Sequence, residues 1–273
     1  MKRIIVTVFA AMCSMFASAQ TVNEFSFNGG VSLSAFDFRL PTGASSLNFS
    51  GEFGVGYTRF FSEKVGIHIG ANLALYNSNS NFNGVKIVSK NLIDNEGDRF
   101  DMHTTLDRYE ETHNAKFLNI PVMAQFETGQ TNKFYFMGGV KIGIPLNAEY
   151  KVFDATITNK AYYPDYDNWL IEQNFAGYGN FEDISSQEEL DYTISAALAL
   201  ETGLKWCVGS KIVLYTGVYF DYGLNNIAKN DGKSFVNYNN SEPSEFTVNS
   251  ATVYSTNRTN VMAVGIKLRV GIN

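Results

Sequence analysis

The sequence predicts an all-β protein: a single eight-stranded, antiparallel, up-and-down transmembrane β-barrel with short turns at one end and long loops at the other. Three observations lead there. Eight segments alternate apolar residues with small or polar ones at period two, the spacing of a strand with two unlike faces. These segments run about 9–15 residues. Ordinary strands run about 5–6, whereas a tilted strand needs about 9–11 to cross a bilayer. The connections between segments are alternately short and long, which is the asymmetry of single-chain membrane barrels.

Composition removes the competing classes. The chain has 273 residues, of which 22 are Phe and 15 are Tyr. That is far too aromatic for a disordered polar chain. Only 18% of residues are charged, against about 25% in soluble domains. A mean hydropathy of −0.12 is too low for a bundle of membrane helices. After residue 20 no apolar run reaches the roughly 18 residues of a spanning helix.

Residues 1–19 read as a secretory signal peptide. Lys2 and Arg3 form a basic start, Ile4 to Phe16 an apolar core, and Ala17-Ser18-Ala19 a small-residue cleavage site before Gln20. The barrel domain is then 20–273. Loss of Lys2 and Arg3 takes the formal net charge from −6 to −8. Cys207 remains as the one cysteine, so no internal disulfide is expected. An acidic chain lacks the basic footprint of a nucleic-acid binder.

The apolar faces appear in order. Phe25, Phe27, Val31 and Leu33 mark the first strand, and Leu47, Phe49, Phe53, Val55 and Tyr57 the second. Val65 to Leu75, Leu118 to Phe126 and Phe134 to Leu146 give the third, fourth and fifth. Leu190 to Leu204, Ile212 to Leu224 and Met262 to Ile272 complete the eight. Short turns fall at residues 61–64, 128–132 and 208–211. Long links fall near 77–115, 152–188 and 227–257, with a shorter one at 37–46. With the short turns in the periplasm, both ends of the barrel chain lie there too.

The opposite face separates a membrane barrel from a soluble one. A solvated outer face would carry many Lys and Glu. Here that face is mostly Gly, Ser, Ala, Thr and Asn, which suits a narrow interior. Its isolated charges are Glu52, Lys141, Glu201, Asp221, Lys267 and Arg269. Unpaired buried charge is costly, so a balanced set should form a lumen charge network. Lys267 and Arg269 are expected to meet Glu201, and Glu24 at the foot of the first strand. His68 is expected at a rim, facing water. Phe60, Phe61, Phe126, Phe134 and Trp206 should form one aromatic girdle; Phe36, Phe38, Tyr76, Tyr150, Tyr192 and Tyr222 should form the other.

The segments FSFNGGVSLSAF, KFLNIPVMAQFE, KFYFMGGVKIGIPL, ALALETGLKWCVGSKIVLYTGVYFDYGL and VMAVGIKLRVGIN follow a start ending in ASAQ. In that order they resemble the outer-membrane β-barrel domain proteins, the PorT-like and OmpA-like eight-stranded barrels. The resemblance covers essentially the whole exported chain. It implies an outer-membrane location, outer-membrane lipid as surroundings and the barrel-assembly machinery as a partner during insertion. No peptidoglycan-binding domain of the kind many such proteins carry is expected after the barrel, and Asn273 stands where an aromatic commonly ends the insertion signal.

The loops carry little recognisable chemistry. Asp94-Asn95-Glu96-Gly97-Asp98 alternates carboxylates, but its glycine is misplaced for a calcium loop. Glu110 and His113 have metal-ligand spacing only on a helix. Ser185 and Glu188 form a capping-box pattern that would start a short helix. His103 and His113, the loop histidines, sit in no serine-hydrolase motif, and no nucleotide fingerprint is present. No cofactor and no metal site is expected. Tyr162, Tyr163, Tyr166 and Trp169 stand beside Asp165 and Asp167, a setting suited to stacking on an extracellular glycan or docking a protein ligand. The leading reading is a structural or surface-binding scaffold with a plugged lumen. A small transporter or pore is the first alternative, and a rim-active lipid or protein hydrolase or acyltransferase the second.

Overall fold

The structure, a computed structural model, describes residues 22–38, 44–229, 234–251 and 259–273. The expected leader at 1–19 lies outside them. In chain order the strands are β1 (Val22–Phe38), β2 (Ala44–Phe60), β3 (Val65–Phe82), β4 (Val85–Ile93), β5 (Arg99–Thr128), β6 (Asn132–Tyr163) and β7 (Asn168–Leu170). Then follow β8 (Gly179–Glu189), β9 (Ser195–Val208), β10 (Ile212–Gly223), β11 (Val236–Asn237), β12 (Thr247–Val248) and β13 (Thr259–Ile272).

Eight of these form the barrel. Antiparallel pairing runs β1-β2-β3-β5-β6-β9-β10-β13. It then returns to β1, from Phe25 opposite Ile272 to Phe38 opposite Thr259. Each barrel strand therefore has two hydrogen-bonded neighbours, and no membrane-level edge is left unpaired. The short turns fall where the sequence places them. In the last of them Gly209 takes φ +87, a left-handed conformation that other residues rarely adopt.

The lower halves of the strands face lipid. Phe25, Phe27, Phe53, Ile67, Val122, Phe136, Val140, Val218 and Ile266 all project outward. Ser26, Ser32, Ser50, Asn72 and the charged residues project inward and are buried. Glycines leave room for them. A Cβ on Gly217 would collide with the Tyr135 hydroxyl, and one on Gly56 with the His68 ring.

The upper halves differ from expectation. Residues 77–115 and 152–188 are not irregular loops but continuations of the sheet. β5 is 30 residues long and β6 is 32. Above Phe82 of β3, the strand β4 takes over as partner of β5. Above Gly143 of β6, the strand β8 takes over from β9. Together they raise a turret beyond the membrane. Its polarity is reversed: Phe100, Met102, Leu106, Val152, Ala155 and Ile157 point inward into one core. The segment carrying β11 and β12 folds over this core and adds Phe235, Val236, Phe246 and Val248 to it.

The reversal moves several expected features. Phe36, Tyr76, Tyr150 and Tyr192 are not an outer girdle; all four are buried in the turret core. The Phe38 side chain lies outside the described residues, and Tyr222 is half-buried. At the periplasmic end Phe126, Phe134 and Trp206 face outward, but Phe60 points in. The sixth barrel strand begins at Ser195 rather than Leu190. Ser185 and Glu188 lie in β8, a strand and not a helix.

Candidate functional site

The lumen and the turret's outer face hold the residues singled out in the sequence. In the lumen the charges form two layers. In the upper one Lys141 reaches across to Glu52 at 3.3 Å and also binds Asp221. Lys267 holds the other Glu52 oxygen at 2.5 Å and Glu201 at 3.2 Å. The Tyr135 hydroxyl donates to Glu201 at 2.9 Å. The Tyr219 ring lies beneath both ammonium groups, 4.6 Å from Lys267 and 5.6 Å from Lys141. β2, β6, β9, β10 and β13 each supply a member, so the layer ties together strands on opposite sides of the barrel.

The lower layer was only partly foreseen. Glu24 pairs with Lys205 at 3.4 Å, not with Arg269, and accepts from the Tyr215 hydroxyl at 2.8 Å. Lys205 also holds Glu127 at 2.8 Å, and Lys133 reaches Glu127 at 3.3 Å from the rim. Arg269 makes no ion pair among the described residues. Its guanidinium lies 3.9 Å from the Tyr215 ring centre and donates to Gln125 at 3.1 Å. Glu127, Lys133, Lys205, Gln125, Tyr135, Tyr215 and Tyr219 are network members that the sequence did not single out. His68 is not at a rim: it is buried and its Nδ1 is 2.9 Å from the Thr58 hydroxyl.

Four ammonium groups thus pair with five carboxylates, Lys133, Lys141, Lys205 and Lys267 with Glu24, Glu52, Glu127, Glu201 and Asp221, and the unpaired Arg269 guanidinium brings the charges into balance. Between the layers a cavity of about 10 Å³ remains, lined in part by Asn28, His68 and Asn72. That is room for about one water. Such a network is strongest in a low-dielectric interior when every member is satisfied; here the Glu24 Oε1 and the Arg269 Nε have no hydrogen-bond partner among the described residues.

Above the membrane a second polar cluster anchors the covering segment. The Glu111 carboxylate accepts from the Ala251 N–H at 2.8 Å, from the Tyr109 hydroxyl at 3.1 Å and from the Ser250 hydroxyl. His113 lies 2.6 Å from the same carboxylate, with Tyr192 3.2 Å from its other nitrogen. Glu110 and His113 therefore share no face: Glu110 is exposed and His113 is buried. Asp94 is occupied by its own turn. One oxygen accepts from the Glu96 and Asp98 N–H groups at 3.0 and 2.9 Å, and the other from the Tyr163 hydroxyl at 3.0 Å. Among the described residues no three His, Cys, Asp or Glu side chains converge on a metal-sized point.

The four candidate loop aromatics divide. Tyr163 is buried, its ring stacked on Phe100 at 5.4 Å and its hydroxyl 2.8 Å from that of Tyr178. It is therefore not a surface contact residue. Burial pushes its phenol up to about 12; the Tyr178 hydroxyl opposes that rise and Asp94 adds to it. Trp169 and Tyr166 are exposed, at 45% and 63%. Tyr162 is half-buried, 4.9 Å from Trp169 between ring centres. The Trp169 ring meets His103 edge-on at 4.8 Å.

A closed ring of eight strands with a lipid-facing apolar band and a polar lumen defines an integral membrane β-barrel. Residues 18–229 match the family model described as outer membrane protein beta-barrel domain, and the chain belongs to that family. Membership implies an outer-membrane location. Among solved structures the chain is similar to Neisserial surface protein A, at 8% identity, with 91% of this chain and 96% of that one covered and a TM-score of 0.35. It is also similar to the outer membrane protein OprG from Pseudomonas aeruginosa, at 12% identity, 93% and 97% coverage and a TM-score of 0.38. The N-terminal β-barrel domain of Pseudomonas aeruginosa OprF matches at 8% identity, 93% and 98% coverage and a TM-score of 0.27. No curated protein sequence matches the chain.

Proposed function

We propose that the protein is a non-conducting outer-membrane scaffold. It is exported with cleavage after Ala19, inserted by the barrel-assembly machinery, and used to hold the turret as a binding surface above the cell. The lumen carries this reading: Lys141 and Lys267 bridge Glu52 to Asp221 and Glu201, straight across an eight-stranded interior. Such an interior is only just wide enough for its own side chains. A solute would have to break these pairs and then pass the turret core. Among the described residues no nucleophile stands beside a base at an open surface, and we assign no reaction.

Recording purified protein in planar bilayers tests this. The scaffold reading expects almost no ion current at neutral pH. A steady, open, porin-like conductance would replace it with transport. Heat-modifiable migration on gels, measured on the same sample, shows that the barrel is folded when the current is read.

A further inference from the structure

The outer face of the turret holds a cleft of about 300 Å³ between β4, β5, β6 and the segment following β7. Lys86, His103, Thr105, Lys160, Trp169 and Ile171 line it. That volume is at the lower end of small-ligand sites. Strand register builds it. His103 stands directly opposite Lys160, Lys86 opposite Thr105, and Trp169 opposite Tyr162. All of these project away from the turret core.

Its charge sets the cleft apart from its surroundings. The chain is acidic, and Lys160 is the one base in residues 153–189, beside eight acids. Yet Lys160 and Lys86 are exposed, and neither makes an ion pair among the described residues. Around it, Asp101 accepts from the Asn91 N–H at 2.9 Å, Asp107 from the Thr158 hydroxyl at 2.6 Å and Asp167 from the Tyr162 hydroxyl at 2.9 Å. Two unpartnered ammonium groups beside a half-exposed indole fit a ligand that joins a flat apolar face to negative charge. Trp169 is held by edge contact with His103 and by Tyr162, which leaves part of its ring surface free to stack.

Height decides where that ligand comes from. Leu146 is the last outward apolar residue of the lipid band on β6, and Lys160 lies fourteen residues further along. At about 3.3 Å per residue, and a barrel-strand tilt of roughly 40°, that is on the order of 30 Å above the band. Phosphate groups lying at the edge of the apolar band do not extend that far. Resting on the scaffold reading above, we infer that this cleft binds an acidic saccharide from outside the membrane: a sugar ring stacks on Trp169 while its anionic substituent is held by Lys86 and Lys160.

The test uses the full exported chain in detergent micelles, with oligogalacturonate and dextran sulfate as acidic probes and maltooligosaccharide as the neutral one. At least one acidic probe should bind at least tenfold more tightly than the neutral one, and salt should weaken it. Lys160→Ala, Lys86→Ala and Trp169→Ala should each reduce that binding about tenfold or more, while Lys160→Arg retains most of it. Vesicles containing lipopolysaccharide should not compete; full competition would assign the anion to the membrane and overturn the inference. So would failure of both acidic probes, equal binding of the neutral probe, or binding that survives the three alanine variants. Equal affinity for polyglutamate would make the site a peptide site instead. None of these outcomes changes bilayer conductance, so the cleft can fail while the scaffold reading stands.

Discussion

Two stretches of β6 carry the same backbone into two solvents. From Phe134 to Leu146 the outward residues are Phe, Val, Ile and Leu, and the inward set includes Tyr135 and the Lys141 ammonium. From Ala148 to Tyr163 the inward residues are Val152, Ala155, Ile157 and Ala161, and the outward ones include Lys151 and Lys160. β3 makes the same exchange: outward Leu73 and Leu75 give way to Asn77, Asn79 and Asn81, while inward Asn72 gives way to Tyr76 and Phe82. Below, lipid accepts the apolar face and the lumen must satisfy the polar one. Above, water accepts the polar face and the apolar one must make a core. Alternation reports a strand in both places. Which face is buried in protein depends on what surrounds the strand.

The largest expected effect comes from the lumen. Lys141→Ala leaves Asp221 without its ammonium and Glu52 with one instead of two. Breaking a buried pair by removing one partner costs about 3–5 kcal/mol. Unfolding in lipid vesicles measures it, and a cost below about 1 kcal/mol would mean the lumen is wet. The turret should answer to packing instead. Leu106 is fully buried there, and Leu106→Ala should cost about 2–5 kcal/mol. Proteolysis should then cut the turret first and leave the membrane barrel heat-modifiable.

Outward positions sharpen the contrast. Val140→Arg puts a charge into the lipid band, at about 2–4 kcal/mol. Phe153 is equally outward but lies in the turret, 57% exposed. Phe153→Arg should change stability by no more than about 0.5 kcal/mol. Equal costs for the two would erase the boundary between the regions. The covering segment gives a smaller effect. Glu111→Gln keeps shape but weakens the acceptor for Ser250 and Ala251, a loss of about 1–3 kcal/mol. Hydrogen exchange of the 234–251 amides should rise without change in the barrel. Smallest is an alkaline effect on the turret. Tyr163 ionises near 12 in the fold against 10 when free. Its contribution is therefore whole below pH 10 and is lost as pH rises through 12. An ultraviolet pH titration that finds this phenol ionising at its free value would place it in water.

Much of the membrane barrel was legible in the sequence, because lipid demands an unbroken apolar face. Glu52, Lys141, Glu201, Asp221, Lys267 and Arg269 were legible as isolated charges among small residues. Glu127 and Lys205 were not, since each lies near a short turn, where a charge is ordinary. Tyr135 falls on the inward parity between Phe134 and Phe136, but an aromatic ring among aromatics gave no sign that its hydroxyl would serve a carboxylate. Pairing was legible only in part: Lys267 meets Glu201 as their matching depth implied, but Lys205 meets Glu24 because the last strand closes on the first and β9 lies across the lumen. The turret was misread because its alternation changes phase. β6 shifts register against β5 near Asn147 and again near Asp154, which takes φ +47. Each bulge moves the buried set to the other parity. A segment that changes phase and carries scattered acids reads as loop.

The inversion along β6 is tested most directly by a nitroxide scan. In a Cys207→Ser background, single cysteines are placed at the outward positions 136, 140, 144 and 146, then at 153, 158 and 160, and labelled in lipid vesicles. Collision with oxygen reports acyl chains, and collision with a water-soluble nickel complex reports solvent. Labels from 136 to 146 should favour oxygen, and those from 153 upward should favour nickel, with the change falling in the few residues after Leu146. Oxygen preference continuing past 153 would sink the turret into the bilayer and contradict the account.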